Sequence, residues 1–168
     1  VYRGYNVGIK YANTDIVILM NSDNFVSIDW LKNLKKRLTE DCVVSPVLIQ
    51  PHDTFPNPIN KSTCPIVNFG TTLESFTKKE SDFVQWAEKY KKDTISIGNP
   101  LMPVMLYKWQ IELVGYYPEG NIRNKIYSSI KYTGDEYFFR KLLLLGIKHI
   151  NSNDSIVYHI QEGEKKNK

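Results

Sequence analysis

One stretch limits what this chain can become: Asp15-Ile16-Val17-Ile18-Leu19-Met20-Asn21-Ser22-Asp23-Asn24. Its apolar run is unbroken from Ile16 to Met20 and stops at a polar, acidic tip. A run this short, rich in Ile and Val, has the pattern of a strand buried on both faces, as in α/β sheets. A carboxylate just past the end of such a strand lies where open α/β sheets take their ligands, outside the carboxyl ends of the strands. Asp23 is therefore the first candidate, as a residue that touches a metal ion and a phosphate.

The neighbouring segments complete a strand–loop–helix unit. Residues 2–13 have mixed polarity and two glycines, which fits a loop and a short helix capped by Asn13. Beyond the tip, Ser27 suits a helix N-cap. Trp30, Leu31, Leu34 and Leu38 then recur at helical spacing, with Lys32, Lys35, Lys36 and Arg37 on the other side. Residues 43–49 read as a second strand in which Pro46 marks an edge, an irregularity or a break. Residues 51–65 are a loop by composition, and 66–69 a short strand. Phe83, Trp86, Ala87 and Tyr90 form one stripe in a charged helix within 78–93. A turn at Gly98-Asn99-Pro100 precedes a strand over 101–107. A short helix over 108–114 closes at Gly115, followed by a turn at 116–120 and a polar loop over 121–130. A strong helix over 136–145 closes at Gly146, and 147–150 and 156–159 are two short strands. The whole is α/β, one domain over 1–163 with a charged tail at 164–168.

At 168 residues the chain is long enough for a real core. Its net charge of +4 is scattered over helix-like segments or gathered in the tail, which fits solvated surface and argues against a nucleic-acid footprint. A weak attraction to an anionic membrane surface or substrate is compatible with it. Cys42 and Cys64 have no metal-ligand spacing and make no disulfide framework, so a reducing, cytoplasmic setting is the simpler reading. No apolar run reaches the roughly 18 residues of a membrane span, and no signal peptide is visible.

Three places could carry chemistry. Asn21-Ser22-Asp23 has the spacing of a D-x-D metal site with Asn first. Hard divalent ions take oxygen ligands, often one or two carboxylates plus substrate phosphates; the alternative is that Asp23 or Asn24 begins a turn. The second place is Gly134-Asp135-Glu136. A general base needs a carboxylate held rigidly at a cleft, and a helix start holds one, although its positive end lowers basicity. Thr133-x-x-Glu136 is also a capping box, which makes Glu136 a cap first and leaves Asp135 as the better candidate. The third is His159 at the end of Ile156-Val157-Tyr158, where a structural histidine is the plainer alternative. His52 and His149 have no supporting context.

Taken in order, these pieces resemble a known family. Arg3-Gly4-Tyr5-Asn6-Val7-Gly8, then Ala12, then Asp15 to Asp23, resembles the stretch leading into the D-x-D motif of family 2 glycosyltransferases, and Trp30-Leu31 fits what often follows it. Val114-Gly115-Tyr116-Tyr117-Pro118-Glu119 is similar to the family's Gly-Gly-Phe-Asp-Glu turn. Gly134-Asp135-Glu136, then Arg140 or Lys141, Leu142 and Gly146, resembles the Glu-Asp segment of the acceptor site and its helix. Val157-Tyr158-His159 resembles the late histidine that joins the metal site. The resemblance covers about residues 3–163.

It implies a GT-A-like (Rossmann-like) mixed sheet flanked by helices, and a transferase that moves a sugar from a nucleotide-diphosphate donor with inversion. The acceptor hydroxyl would belong to a saccharide, a lipid-linked molecule or a protein. On that pattern Asp23 binds Mn²⁺ or Mg²⁺ bridging to the donor diphosphate, and His159 completes the metal shell or contacts the diphosphate. Asp135 takes the acceptor proton, with Glu136 in reserve. Asn21, Asn6 and Gly8 lie near the nucleotide sugar, and Arg3 helps hold it. The chain departs from the pattern at Asn21, at Gly134, where the family has Glu, and at Tyr116-Tyr117. The family's N-terminal nucleotide-binding strands would precede Val1, which suggests the C-terminal two-thirds of a longer fold. A non-catalytic saccharide- or partner-binding relative, or an inactive piece of a transferase, is the competing reading.

Overall fold

The computed structural model describes residues 2–52, 64–98, 102–123 and 130–160. Most of the expected loop over 51–65, residues 99 and 100 of the Gly98-Asn99-Pro100 turn, part of the loop over 121–130 and the tail at 164–168 lie outside the described residues.

Helix α1 (Tyr2–Tyr11) spans most of the segment expected to be a loop and a short helix, and β1 (Ile16–Leu19) follows. β2 (Asn24–Val26) follows the acidic tip, and α2 (Trp30–Arg37) packs after it. β3 (Cys42–Ile49) leads to α3 (Leu73–Thr77) and α4 (Glu80–Tyr90), where one helix was expected. β4 (Ile95–Ile97), β5 (Val104–Tyr107) and α5 (Lys108–Leu113) come next, then the small pair β6 (Ile122–Arg123) and β7 (Ile130–Tyr132). α6 (Gly134–Leu144) and β8 (Lys148–His159) end the described chain. Residues 66–69 make only an isolated bridge, Ile66 to Gln50.

The main sheet runs β1-β5-β3-β8-β2, with β4 also on β8. β3 and β8 are parallel; the other pairs are antiparallel. β1, β3 and β8 therefore point the same way, and their carboxyl ends share one rim. The expectation that β1 is buried on both faces is corrected: among the described residues it is a border strand, bonded to β5 alone, and Ile16, Val17 and Ile18 are only half-buried. A continuous apolar run marks a strand without telling its place in the sheet order.

Side chains alternate across the sheet, as a pleat requires. Val17, Leu19, Val43, Val104 and Leu106 join Ile9, Ile111, Phe138 and Leu142 in one core, under α1, α5 and α6. Ile16, Ile18, Cys42, Val44 and Met105 meet Leu34 and Leu38 of α2 in another. A third gathers Phe69, Phe76, Phe83 and Tyr158 beneath α3 and α4. Both cysteines are buried, and they are not joined in a disulfide.

Other expectations are refined. Ser27 is not the cap of α2: its hydroxyl accepts from Ile156 N at 3.2 Å, extending the β2–β8 pairing, and Asp29, at φ 57°, occupies the cap position. The two short strands near the C-terminus are one strand, β8. Its pairing shifts register between Pro46 and Val47, so Asn153-Asp154-Ser155 bulge out. Pro46 lacks the N–H a regular ladder needs, and sits at the irregularity. The bulge docks α2, with Asn33 Nδ2 donating to Asp154 O at 2.7 Å and Ser155 Oγ to Trp30 O at 3.0 Å. Gly115 and Gly146, at φ +73° and +80°, do close α5 and α6 in the left-handed region. Among the described residues, no helix is long and apolar enough to cross a membrane.

Candidate active site at one rim of the sheet

A cleft of about 800 Å³ opens on the rim where β1, β3 and β8 end. Asn21, Ser22 and Asp23 line it after β1, Gln50 after β3, and His159 at the end of β8. Asp135 lines the same cleft from the first turn of α6, and Tyr2, Arg3 and Tyr5 do so from α1. Glu119 and Asn121, beside the turn after α5, complete the wall.

Backbone register makes the Asp23–His159 contact. β2 pairs with β8 so that Asn24 stands opposite His159, and Ile160 N donates to Asp23 O at 3.1 Å. The side chains follow: His159 Nε2 lies 3.1 Å from Asp23 Oδ2. Asp23 Oδ1 is buried with no hydrogen-bond partner among the described residues. Asn21 is tied to α1, because the Tyr5 hydroxyl donates to its side-chain oxygen.

Asp135 is built differently. The Thr133 hydroxyl accepts from Glu136 N at 3.2 Å, and Glu136 Oε2 accepts from Thr133 N at 2.9 Å. That reciprocal box starts α6 and occupies the exposed Glu136 carboxylate. Glu136 lines a different, apolar groove with Phe139 and His149, and not the cleft that holds Asp135. Asn121 Oδ1 accepts from Gly134 N at 3.1 Å, fixing the helix start to the cleft wall. Behind Asp135 the rings of Tyr2, Tyr117 and Phe138 stack in series. Burial among them raises the Asp135 carboxyl to about 6, against a smaller lowering from the Tyr2 hydroxyl, which donates to Oδ2 at 3.4 Å, and with a further rise from Glu136. The expected loss of basicity at a helix start is therefore outweighed, because desolvation disfavours the charged form more than the helix end favours it.

Arg3 joins Asp23, Asp135 and His159 at this cleft; Asn6 and Gly8 do not. The Asn6 side chain is occupied by the main chain of Tyr117, donating to its carbonyl at 2.9 Å and accepting from its N–H at 3.0 Å. Gly8 lines a separate groove along β1. Sequence reasoning missed Tyr2, Tyr5 and Asn121. His149 is structural: burial pushes it down to about 4, it stacks on Phe139 at 4.3 Å, and its Nε2 meets Ser45 Oγ at 2.8 Å.

Among the described residues no three His, Cys, Asp or Glu side chains gather into a metal cluster. The donor set at the strand tip is thus one carboxylate and one imidazole. That number suits an ion shared with a ligand's phosphates, not one caged by protein.

A mixed sheet with helices on both faces is an α/β architecture, and comparison with known proteins gives its class. The family model described as glycosyl transferase family 2 matches residues 1–99, and the chain belongs to that family. The crystal structure of GalNAc-T7 with UDP, GalNAc and Mn²⁺ superposes with a TM-score of 0.57 at 14% identity, over 95% of this chain and 30% of that one. This shows the GT-A fold, and the chain spans under a third of that protein's length. No curated protein matches the chain by sequence.

Proposed function

We propose that this domain transfers a sugar from a nucleoside-diphosphate donor to an acceptor hydroxyl, with inversion at the anomeric carbon. The observation that carries the reading is the meeting of Asp23, His159 and Asp135 at one cleft, with Asp135 made unusually basic. Asp23 and His159 would hold a divalent ion, Mn²⁺ or Mg²⁺, and the unpartnered Asp23 Oδ1 fits an oxygen ligand for it. Such an ion supplies Lewis-acid stabilisation of charge on the leaving diphosphate. Asp135 takes the proton of the acceptor hydroxyl as its oxygen bonds to the anomeric carbon and the sugar–diphosphate bond breaks. A carboxyl near 6 is mostly ionised at neutral pH and still more basic than an ordinary aspartate, as a general base should be. One base facing one leaving group suits a single displacement, which inverts. Arg3 and Asn21 stand where they would contact the donor.

The second reading, a non-catalytic saccharide- or partner-binding relative, is favoured by Asn21, whose side-chain oxygen is already taken by Tyr5. Calorimetry separates the two. UDP and other nucleoside diphosphates are titrated with and without Mn²⁺, then nucleotide sugars are offered with saccharide, lipid-linked and peptide acceptors. Metal-dependent binding followed by transfer, with an inverted product by NMR, is expected. Absence of metal-dependent binding across the panel overturns the transferase reading.

A further inference from the structure

Gly134 has no conformational reason to be glycine. It is the first residue of α6 and its backbone is helical, where glycine is weaker than almost any other residue. The reason is its neighbour. A Cβ at 134 would stand 2.4 Å from Tyr2 Cε2 and 2.5 Å from Tyr2 Cζ, far inside van der Waals contact. The Tyr2 ring thus occupies the space that a side chain at 134 would fill.

That ring is held in place from its other side. It stacks on Tyr117 with centroids 5.5 Å apart and planes 8° from parallel, and Tyr117 stacks on Phe138 of α6 at 4.0 Å. Its hydroxyl arrives 3.4 Å from Asp135 Oδ2. This contact is long for a hydrogen bond between oxygens, as those of ligand-free active sites often are. Asp135 Oδ1 has no partner among the described residues, so Tyr2 is the hydroxyl that distinguishes one carboxylate oxygen from the other.

We propose that Tyr2 and Gly134 form one positioning device for Asp135: the glycine leaves room for the ring, and the Tyr2 hydroxyl fixes the rotation of the carboxylate. The inference rests on the reading of Asp135 as acceptor base. It makes Tyr2 a positioning residue, acting through Asp135. The groups facing Asp135 are Tyr2 and Tyr5 from α1, Tyr117 from the turn after α5, and Glu136 from its own helix. The three tyrosines are all shifted upward and stay neutral at neutral pH. The Tyr2 hydroxyl favours the ionised carboxylate, and its loss should make Asp135 harder to ionise.

The test uses the whole chain and two readouts. Tyr2→Phe keeps the ring and its stacking and removes the hydroxyl. Carbon-13 NMR should show the Asp135 titration moving to higher pH. The acid limb of kcat should move with it, lowering the rate there about three- to tenfold with the acceptor KM little changed. Gly134→Ala should lower kcat similarly in the native background and have no further effect in a Tyr2→Ala background, where the displaced ring is already gone. An Asp135 titration unchanged by Tyr2→Phe overturns the proposal, as does an equal penalty for Gly134→Ala in both backgrounds. The NMR titration needs no turnover. If the native chain transfers nothing while the titration still moves, the pairing stands and only the transferase reading falls.

Discussion

The two ends of the cleft are held by different parts of the molecule. At the Asp23 end the main chain does the positioning: β2 lies antiparallel to β8 in a register that sets Asn24 opposite His159, and Ile160 N donates to Asp23 O. At the Asp135 end side chains do it, through the stacked rings of Tyr2, Tyr117 and Phe138. Register fixes where a ligand group stands and leaves its chemistry to whatever binds. Packing also alters the chemistry, since the walls that hold Asp135 withdraw it from water and raise it to about 6.

The largest effect should come from Asp135→Asn. Loss of a general base costs about 10²- to 10⁴-fold in rate, and donor affinity should stay close to native because the strand tip is untouched. The same change should stabilise the fold at neutral pH. Asp135 has a folded pKa raised from 3.8 to about 6, so the native state binds the proton more tightly than the unfolded chain. Its stabilising contribution is fully present below the unfolded value and is lost as pH rises through the folded one. Native stability should therefore fall between about pH 4 and pH 6, by on the order of 2 kcal/mol. Asp135→Asn should lack that fall. Denaturant titrations at pH 4 and pH 7 decide it, and an identical slope in both proteins would mean that packing does not control this carboxyl.

Asp23→Ala comes next. It removes the carboxylate at the register-built end and should weaken metal-dependent binding of a nucleoside diphosphate by about 2–3 kcal/mol, roughly 30- to 150-fold. The fall in stability between pH 4 and pH 6 should persist, because that belongs to Asp135. Calorimetry with and without Mn²⁺ reads the first quantity and denaturant titration the second. If the fall vanishes as well, the two ends are coupled and the contrast between them collapses.

Sequence pattern reached the register-built end more readily than the packed one. The apolar run at 16–20, the acidic tip and the late histidine are local features, and a sheet brings such strand ends to one rim by its topology. The capping box at Thr133 and Glu136 was legible too, because its partners are three residues apart. β2 was hidden, since Asn24–Val26 is too short to show alternation, and its pairing consumed the serine that looked like a cap. The border position of β1 was hidden because strand order depends on partners remote in sequence. Least visible was the Tyr2–Asp135 contact, which joins residues 133 apart and depends on a missing Cβ at Gly134. No periodicity encodes that.

The smallest of these effects tests the border between the two ends. Asn6 was expected beside the donor, and the structure gives its amide to the Tyr117 main chain in both directions. These two hydrogen bonds fasten α1, which carries Tyr2 and Tyr5, to the turn that carries Tyr117. Asn6→Ala should therefore cost about 1–2 kcal/mol of stability, the net worth of two such bonds. It should lower transfer only modestly, through looser walls around Asp135, with donor affinity within about twofold of native. Parallel denaturant and calorimetric titrations distinguish the outcomes. Should donor affinity drop as far as in Asp23→Ala with stability unchanged, Asn6 would belong to the donor side after all. Packing would then serve both ends of the cleft, and register alone would no longer account for the first.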